Sequence, residues 1–572
     1  MGKTNKFSKI LEERSFADFP TLVKANAELY GDLPVYSYFE GKNMVEMSYK
    51  NFYNNILALG TSFANLDLSG KTIAVIGMAH PAYMTTYHAA TWGGGIIVPM
   101  DKEISDDEVV NFLKLSETSA VVYMVDQVKR FEAIKEKLPE IKYFISVDPS
   151  AVKTDDRCLY FDEVVSEGKK SLENGDTSFT DIYKDGCDTE KCSAIIFSSG
   201  TTGTSKGIML SQKNICSNTC SCVEAFTFVT KGTKILSVLP MNHTYEVTTV
   251  HFAAQFFGTH TLLNNSLKYV LRNIKLFQPD LLILVPLFVQ TIQKKIQDEL
   301  RSKGLEKKVS AVAKVSNALL YTGIDLRSKL FGQIVAALGG KLSHIVCGGA
   351  PLGKDAVNFF KSIGIEILEG YGITECSPLL AVNRLNDITP GSVGLPAYGC
   401  EVKIDKDSEE AETGEILAKG DNVMLGYYKN PEATADVFTE DGWFRTGDIG
   451  YTDKKGRVYI TGRKKNVIIL SNGKNIFPEE IEEYLGKCEE IAECVVVGKD
   501  NKLGETVITA LVFPNYDLLA GKNDDEVLET IKSSVDAINK KLPTYKQVHS
   551  VEIRKTEFEK TTSRKIKRYK AQ

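Results

Sequence analysis

Apolar residues fall along this chain in short continuous runs, separated by stretches with helical spacing. "TIAVIGM" (72–78), "GIIVPMD" (95–101), "AVVYMV" (120–125) and "YFISVD" (143–148) lack polar alternation and are too short for buried helices. They predict strands covered on both faces. Between the first three stand "PAYMTTYHAATW" (81–92) and "SDDEVVNFLKLS" (105–116), which read as helices. Strand alternating with helix predicts parallel sheet under a helical cover. The alternation resumes after Ser193 with "TKILSVLP" (233–240), "LLILVP" (281–286), "SHIVCGG" (343–349) and "IEILEGYG" (365–372). In sheets of this kind chemistry gathers at the carboxyl ends of strands, and these four runs end in unusual residues.

From Gly391 the texture changes. "GSVGLPAYGCEVKI" (391–404) and "EEAETGEILAKG" (409–420) predict short antiparallel strands, with an acidic turn at Asp405–Glu412. After "YITGRKKNVIIL" (459–470) comes a compact α+β pattern. It has a helix from Pro478, strands "ECVVVGKD" (493–500) and "TVITALVFP" (506–514), a helix near Asp525–Leu542 and a strand "VHSVEI" (548–553). The expected fold class is α/β. A large N-terminal domain, residues 1–462, holds mainly parallel helix-covered sheets and a small β-rich subdomain at about 391–462. A small α+β domain follows at 463–572.

Composition narrows the function classes. The 572 residues are 43% hydrophobic and 25% charged, which is globular, and the net charge of -5 excludes a general nucleic-acid binder. Eleven cysteines lie in no repeating frame, so they read as reduced thiols; the cluster "CSNTCSC" (216–222) lacks the partners of a zinc set. No secretory signal is read in "MGKTNKFSKILEERSF", and "LLILVPLFV" (281–289) is too short to span a bilayer. Pro286 instead predicts a strand passing into a helix. The expectation is a cytoplasmic protein with at most peripheral membrane contact. One region is basic: Lys541–Gln572 carries ten Lys/Arg against three Glu.

The chemistry enters at "SAIIF" followed by "SSGTTGTSKGIMLS" (198–211). Gly200, Gly203 and Gly207 permit bends that aim successive N–H groups into one cavity. Ser198, Ser199, Thr201 and Thr202 add hydroxyls and Lys206 adds a charge. A linker needs neither the strand nor the lysine; a phosphate loop uses both. It is not a Walker loop, because Ser205 rather than Gly precedes Lys206.

This loop resembles the phosphate loop of the adenylate-forming enzymes: acyl-CoA synthetases, adenylation domains of peptide synthetases, and luciferases. The other family motifs follow in family order: "PMNHTYE" (240–246), "GGAPL" (348–352), "EGYGITECSP" (369–378), "GWFRTGDIG" (442–450), "GRKKNVIILSNGKNIFPEEIE" (462–482) and "TTSRKIKR" (561–568). The resemblance runs over about residues 20–570. Two positions depart from the family: Ser205 where Pro is usual, and Arg564 where Gly is usual.

The resemblance implies a two-step reaction. A carboxylate attacks the α-phosphorus of ATP, giving an acyl-adenylate and pyrophosphate, and a thiol then takes the acyl group and releases AMP. It implies that Thr201, Thr202, Gly203 and Lys206 hold the β- and γ-phosphates. Gly349 and Ala350 form an adenine-contact turn, and Tyr371, beside Gly370 and Gly372, lies along adenine. Thr374 contacts the α-phosphate and Glu375 ligates Mg²⁺. Asp448 accepts the ribose hydroxyls, and Arg463 makes a second ribose or phosphate contact. His243 gates the acyl and thiol channels. Lys565 reaches the carboxylate and α-phosphate during adenylation only. Lys465 is the hinge of a mobile C-terminal domain, and Asn472, Gly473 and Lys474 belong to the loop that lines the thiol tunnel. "PMNHTYE", "EGYGITECSP" and "LFGQIVAALGGKLSHIVCGGAPL" (330–352) are most similar to bacterial long-chain fatty acyl-CoA ligases. The implied substrates are therefore a fatty acid, ATP and CoA. Apolar residues in "VTTVHFAAQFFG" (247–258) suit an acyl tunnel and a helix core equally well. A carrier-protein phosphopantetheine presents the same thiol as CoA, so an acyl carrier protein is an alternative acceptor. A nucleotide-binding regulator without catalysis is a third reading, and Lys206, Glu375, Asp448 and Lys565 count against it.

Overall fold

A computed structural model describes residues 16–198, 205–320, 322–470, 475–501, 506–561 and 566–571. Thr201, Thr202, Gly203, Asn472, Gly473, Lys474 and Lys565, which the family resemblance singles out, lie outside the described residues. The described chain divides into two units. Residues up to 198, 205–401 and 419–436 make one; residues 402–418 and 437–571 make the other.

The first unit contains two large sheets. One has eight strands in the spatial order Gly426–Tyr427, Lys206–Ser211, Cys192–Ser198, Ile96–Met100, Thr72–Ile76, Ala120–Tyr123, Tyr143–Ser146, Cys158–Tyr160. The last six are mutually parallel, as the apolar runs predict. Helix Pro81–Trp92 is buried at all twelve positions, which explains why it shows no polar face in the sequence. Helix Asp106–Leu115 starts on a capping box. Ser105 accepts from the Glu108 N–H and Glu108 accepts from the Ser105 N–H, with three acids in the first turn.

The second sheet has nine strands. The order is Leu395–Pro396, Leu379–Val382, Glu366–Gly372, His344–Gly348, Leu281–Leu284, Lys234–Ser237, His260–Leu263, Pro34–Glu40, Asn43–Ser48. The run from Glu366–Gly372 to Pro34–Glu40 is parallel. Leu281–Leu284 passes into helix Pro286–Ser302 with the proline in its first turn, as its sequence predicts. No helix among the described residues is long and apolar enough to cross a membrane.

Helices Tyr49–Asn65 and Phe161–Glu173 cross in close contact. The crossing is set by Gly168, where a Cβ would overlap the Ala58 carbonyl. Ser62 Oγ donates to the Val164 carbonyl at 2.6 Å beside it. Gly168→Ala is therefore expected to force the helices apart and destabilise this unit by about 3 kcal/mol. Denaturant unfolding measures this; an unchanged midpoint would mean the crossing relaxes freely.

Most of a four-stranded sheet, Cys400–Asp405, Gly414–Gly420, Phe444–Thr452, Val458–Arg463, falls in the second unit. This unit also holds a three-stranded sheet, Ile491–Asp500, Thr506–Pro514, Ser550–Ile553, under helices Pro478–Leu485 and Asp524–Asn539. Ile476, Ile481, Leu485, Val496, Ile508, Val512, Ile531 and Val535 form its core. The basic C-terminal region is neutralised locally. Lys546 pairs with Glu480, Lys555 with Asp524, Lys560 with Glu493 and Glu557, Lys567 and Lys570 with Glu559, and Arg568 with Glu482.

Candidate active site

In the first unit His243, Gly349, Ala350, Tyr371, Gly372, Thr374 and Glu375 lie at the carboxyl ends of three parallel strands of the nine-stranded sheet. His243 follows Lys234–Ser237 and sits half-buried at the start of the turn Thr244–Glu246. Gly349 follows His344–Gly348 with φ of +87°, a left-handed conformation that favours glycine, and Ala350 beside it is exposed. Tyr371 and Gly372 end Glu366–Gly372, and Thr374 and Glu375 form the 3₁₀ turn that follows. Tyr371 is buried. The space at Gly372 is taken by protein: a Cβ there would overlap the Pro378 carbonyl. The glycine thus serves the hairpin, and a ligand is not needed to explain it.

The turn at 374–379 is held by amides and a hydroxyl. Asn218 Nδ2 donates to the Leu379 carbonyl at 2.8 Å, and Asn218 Oδ1 accepts from the Leu379 N–H at 3.0 Å. Asn422 Nδ2 donates to the Cys376 and Leu379 carbonyls at 3.1 Å each. Thr248 Oγ1 donates to the Ser377 carbonyl at 2.9 Å. These three residues carry no motif signal; the partners lie 43 to 161 positions away for the asparagines.

Lys206 is the first residue of the strand Lys206–Ser211. Lys206–Ser211 runs antiparallel to Cys192–Ser198, and Gly426–Tyr427 pairs with its outer edge. The Lys206 ammonium sits 4.5 Å from the centre of the Tyr427 ring. The Tyr427 hydroxyl donates to Glu375 Oε1 at 3.1 Å. Burial first, and the Glu375 charge second, push the Tyr427 phenol up, so it stays a donor. The set of one ammonium, one half-buried carboxylate and one phenol fits a polyphosphate and a hard cation. Among the described residues no group of three or more His, Cys, Asp or Glu could hold a metal alone. Mg²⁺ often takes one or two carboxylates and completes its shell with phosphates and water, so Glu375 meets that requirement.

In the second unit Asp448 lies mid-strand in Phe444–Thr452, directly opposite Arg463 on Val458–Arg463. Its carboxylate is buried and accepts from Arg463 Nε at 2.9 Å. Lys465 lies on the 3₁₀ turn Lys464–Asn466. Desolvation of its ammonium, and then the Arg463 charge, lower it to about 8.

Residues 23–428 match the AMP-binding enzyme family, and residues 465–572 match the AMP-binding enzyme C-terminal domain. The chain belongs to the AMP-binding enzyme family. It is 27% identical to the chloroplastic long-chain-fatty-acid–[acyl-carrier-protein] ligase AEE15 of Arabidopsis thaliana, over 90% of this chain and 79% of that one. It is 34% identical to the long-chain-fatty-acid–CoA ligase FadD15 of Mycobacterium bovis, over 53% of this chain and 52% of that one. The alignment thus spans about half the length of the mycobacterial relative. Among solved structures it shares its fold with the A domain of carboxylic acid reductase from Segniliparus rugosus, in complex with AMP and a co-purified carboxylic acid. The TM-score is 0.77 at 19% identity, over 98% of this chain and 93% of that one.

Within this AMP-binding enzyme, the first eight residues of "VTTVHFAAQFFG" form the irregular helix Val247–Ala254, buried at all eight positions. A polar cluster is buried with it. Ser237 Oγ donates to Glu246 Oε1, and His251 Nε2 lies 4.0 Å from the same oxygen. Gln255 Nε2 donates to Tyr36 Oη at 2.7 Å, which leaves the Tyr36 hydroxyl to donate to His251 Nδ1 at 3.0 Å. Burial raises Glu246 to about 8 and lowers His251 and His88 to about 3.

The signs oppose each other. Between about pH 4.5 and 8 the native state keeps a proton on Glu246 that the unfolded chain has lost, so stability falls as pH rises. Below pH 6.5 the unfolded chain protonates histidines that the native state keeps neutral, so stability falls as pH falls. Wild type is expected to lose apparent melting temperature between pH 7 and 8 as Glu246 ionises, and Glu246→Gln to reduce that loss. Thermal scans across that range check it; parallel wild-type and variant curves would contradict the buried neutral carboxyl.

All eleven cysteines are free thiols. Burial raises Cys216, Cys220 and Cys222, so this cluster is unreactive.

Proposed function

We propose that this chain is an AMP-forming acid–thiol ligase that activates a long-chain fatty acid with ATP and passes the acyl group to CoA. The observation that carries the reading is the Lys206–Tyr427–Glu375 set, which pairs a cation for phosphates with a carboxylate for a metal. The names of the relatives supply the acid class. Lys206 neutralises the β- and γ-phosphates and steadies the departing pyrophosphate, together with Thr201, Thr202 and Gly203. Glu375 holds Mg²⁺, which when bound offsets the negative charge of the polyphosphate. Thr374 donates to the α-phosphate. Tyr371, with Gly349 and Ala350, receives the adenine, and Gly372 shapes the hairpin that presents the tyrosine. Asp448, oriented by Arg463, accepts from the ribose hydroxyls. His243 borders the channel for the acyl chain and the thiol. Lys565 contacts the reacting carboxylate in the first step. Asn472, Gly473 and Lys474 line the thiol path in the second, in a domain of residues 463–572 that turns about Lys465.

A carrier protein is the second reading for the acceptor. The carrier-protein ligase of Arabidopsis aligns with 90% of this chain, which favours testing both thiols. Pyrophosphate release over a panel of fatty acids, followed by thioester analysis with CoA and with holo-carrier protein, tests the proposal. Acid-dependent pyrophosphate release and a thioester on CoA are expected. No acid-dependent release would overturn the ligase, and a thioester on the carrier alone would replace CoA.

Asp448→Ala is expected to raise the KM for ATP by one to two orders of magnitude, about 1.5–3 kcal/mol. An unchanged KM for ATP in a folded variant would confine Asp448 to its ion pair with Arg463.

A further inference from the structure

Lys206 and Glu375 stand on different elements, and one residue touches both. The segment Met424–Tyr428 is stitched between them by backbone. Met424 N–H donates to the Glu375 carbonyl at 2.8 Å, Leu425 N–H to the Met209 carbonyl at 3.0 Å, and Tyr428 N–H to the Gly207 carbonyl at 2.7 Å. Gly207 permits the approach, since a Cβ there would lie 3.2 Å from Tyr428 Cβ. Thr434 Oγ1 accepts from the Tyr427 N–H at 2.9 Å, and the Tyr427 side chain is almost wholly buried. Its ring therefore has one place to go, under the Lys206 ammonium, with its hydroxyl on Glu375 Oε1. Neither Lys206 nor Glu375 has a salt-bridge partner among the described residues. The phenol is the group that orients the one and steadies the other.

We infer that Tyr427 is a positioning residue that fixes the spacing between the phosphate-binding ammonium and the metal-binding carboxylate. The inference rests on the proposed roles of Lys206 and Glu375. The hydroxyl sets the rotation of the Glu375 carboxylate, as outer hydrogen bonds do for metal-ligating groups, where their loss costs about 10–100-fold in metal affinity. The ring face holds the Lys206 ammonium by cation–π attraction. The two contacts are separable by substitution. Tyr427→Phe removes the hydroxyl and keeps the ring; Tyr427→Leu removes both.

The test uses the full-length protein and two binding measurements that need no turnover. Mn²⁺ affinity in the presence of a non-hydrolysable ATP analogue is read by electron paramagnetic resonance. Affinity for the same analogue in EDTA is read by calorimetry. Tyr427→Phe is expected to weaken Mn²⁺ about tenfold and leave metal-free nucleotide binding within about twofold of wild type. Tyr427→Leu weakens both. In a Glu375→Gln background Tyr427→Phe adds nothing further, because the hydroxyl acts through that carboxylate. Wild-type Mn²⁺ affinity in a folded Tyr427→Phe variant overturns the inference. So does an equal loss in Mn²⁺ and metal-free binding, which marks a packing defect. If wild type itself binds neither Mn²⁺ nor nucleotide, the reading of Lys206 and Glu375 falls instead.

Discussion

Glu375→Ala stops acyl-adenylate formation and leaves the protein folded, with pyrophosphate release lowered several hundred-fold. That corresponds to about 3–4 kcal/mol of transition-state stabilisation, the size found when one charge-stabilising group is removed. The structure explains why the two effects separate. The backbone of the 374–379 turn is held by Asn218, Asn422 and Thr248, and none of these bonds uses the Glu375 carboxylate. The carboxylate is half-buried, and its hydrogen-bonded neighbour Tyr427 retains the backbone pairing of its own strand. Truncation therefore removes a charge and one hydrogen bond, and leaves the turn in place. Steady-state pyrophosphate release, with circular dichroism as the check on folding, measures this. Near-wild-type release from a folded variant would remove Glu375 from the metal site.

Lys565→Ala separates the two half-reactions. Acyl-adenylate formation falls by about 10²–10³, while thioester formation from supplied acyl-adenylate stays within about threefold of wild type. Lys565 and residues 562–564 lie outside the described residues; the chain up to Thr561 and from Ile566 is described. Lys560 and Ile566 form a bridge, the Lys567 N–H donates to the Glu559 carbonyl at 2.7 Å, and Arg568 Nη1 donates to the Val496 carbonyl at 2.7 Å. The Glu482 carboxylate, raised to about 7 by burial and pulled back by Arg568, closes that anchor. The described residues around this segment are thus fastened without Lys565, and Lys560, Lys567 and Lys570 are paired with carboxylates. Lys465→Pro fixes φ at the proposed hinge and is expected to slow thiol transfer while permitting adenylation. Single-turnover assays of each step decide the matter. Equal damage to both steps by both substitutions would replace two working conformations with one fixed site.

The parallel sheets were legible because strands buried on both faces are written as continuous apolar runs, as in "TIAVI" and "LLIL". Helix entry at Pro286 was legible because proline lacks an N–H that the first turn does not use. The strand Gly426–Tyr427 was not, since two residues carry no period, and its existence depends on the distant edge of Lys206–Ser211. The packing of Gly372 against the Pro378 carbonyl was not legible either, because that contact lies six positions away across a turn. Lys206 stood out as a charge among glycines and hydroxyls, whereas Glu375 and Asp448 were read from the family resemblance of "EGYGITECSP" and "GWFRTGDIG". Tyr427, Asn218 and Asn422 were missed because they look like any tyrosine or asparagine until the fold brings partners to them. The Asp448–Arg463 pair shows the middle case: both residues stood out, but only the antiparallel register made them partners.

The central claim is that a carboxylate oxygen of the substrate attacks the α-phosphorus of ATP. The most direct measurement is the fate of that oxygen. Fatty acid labelled with ¹⁸O in its carboxylate is turned over with ATP, Mg²⁺ and CoA, and the nucleotide and phosphate products are analysed by mass spectrometry. The account predicts one ¹⁸O in each AMP, none in pyrophosphate, and the remaining label in the thioester carbonyl. Label in orthophosphate together with ADP would mean attack at the γ-phosphorus through an acyl phosphate, and would contradict it.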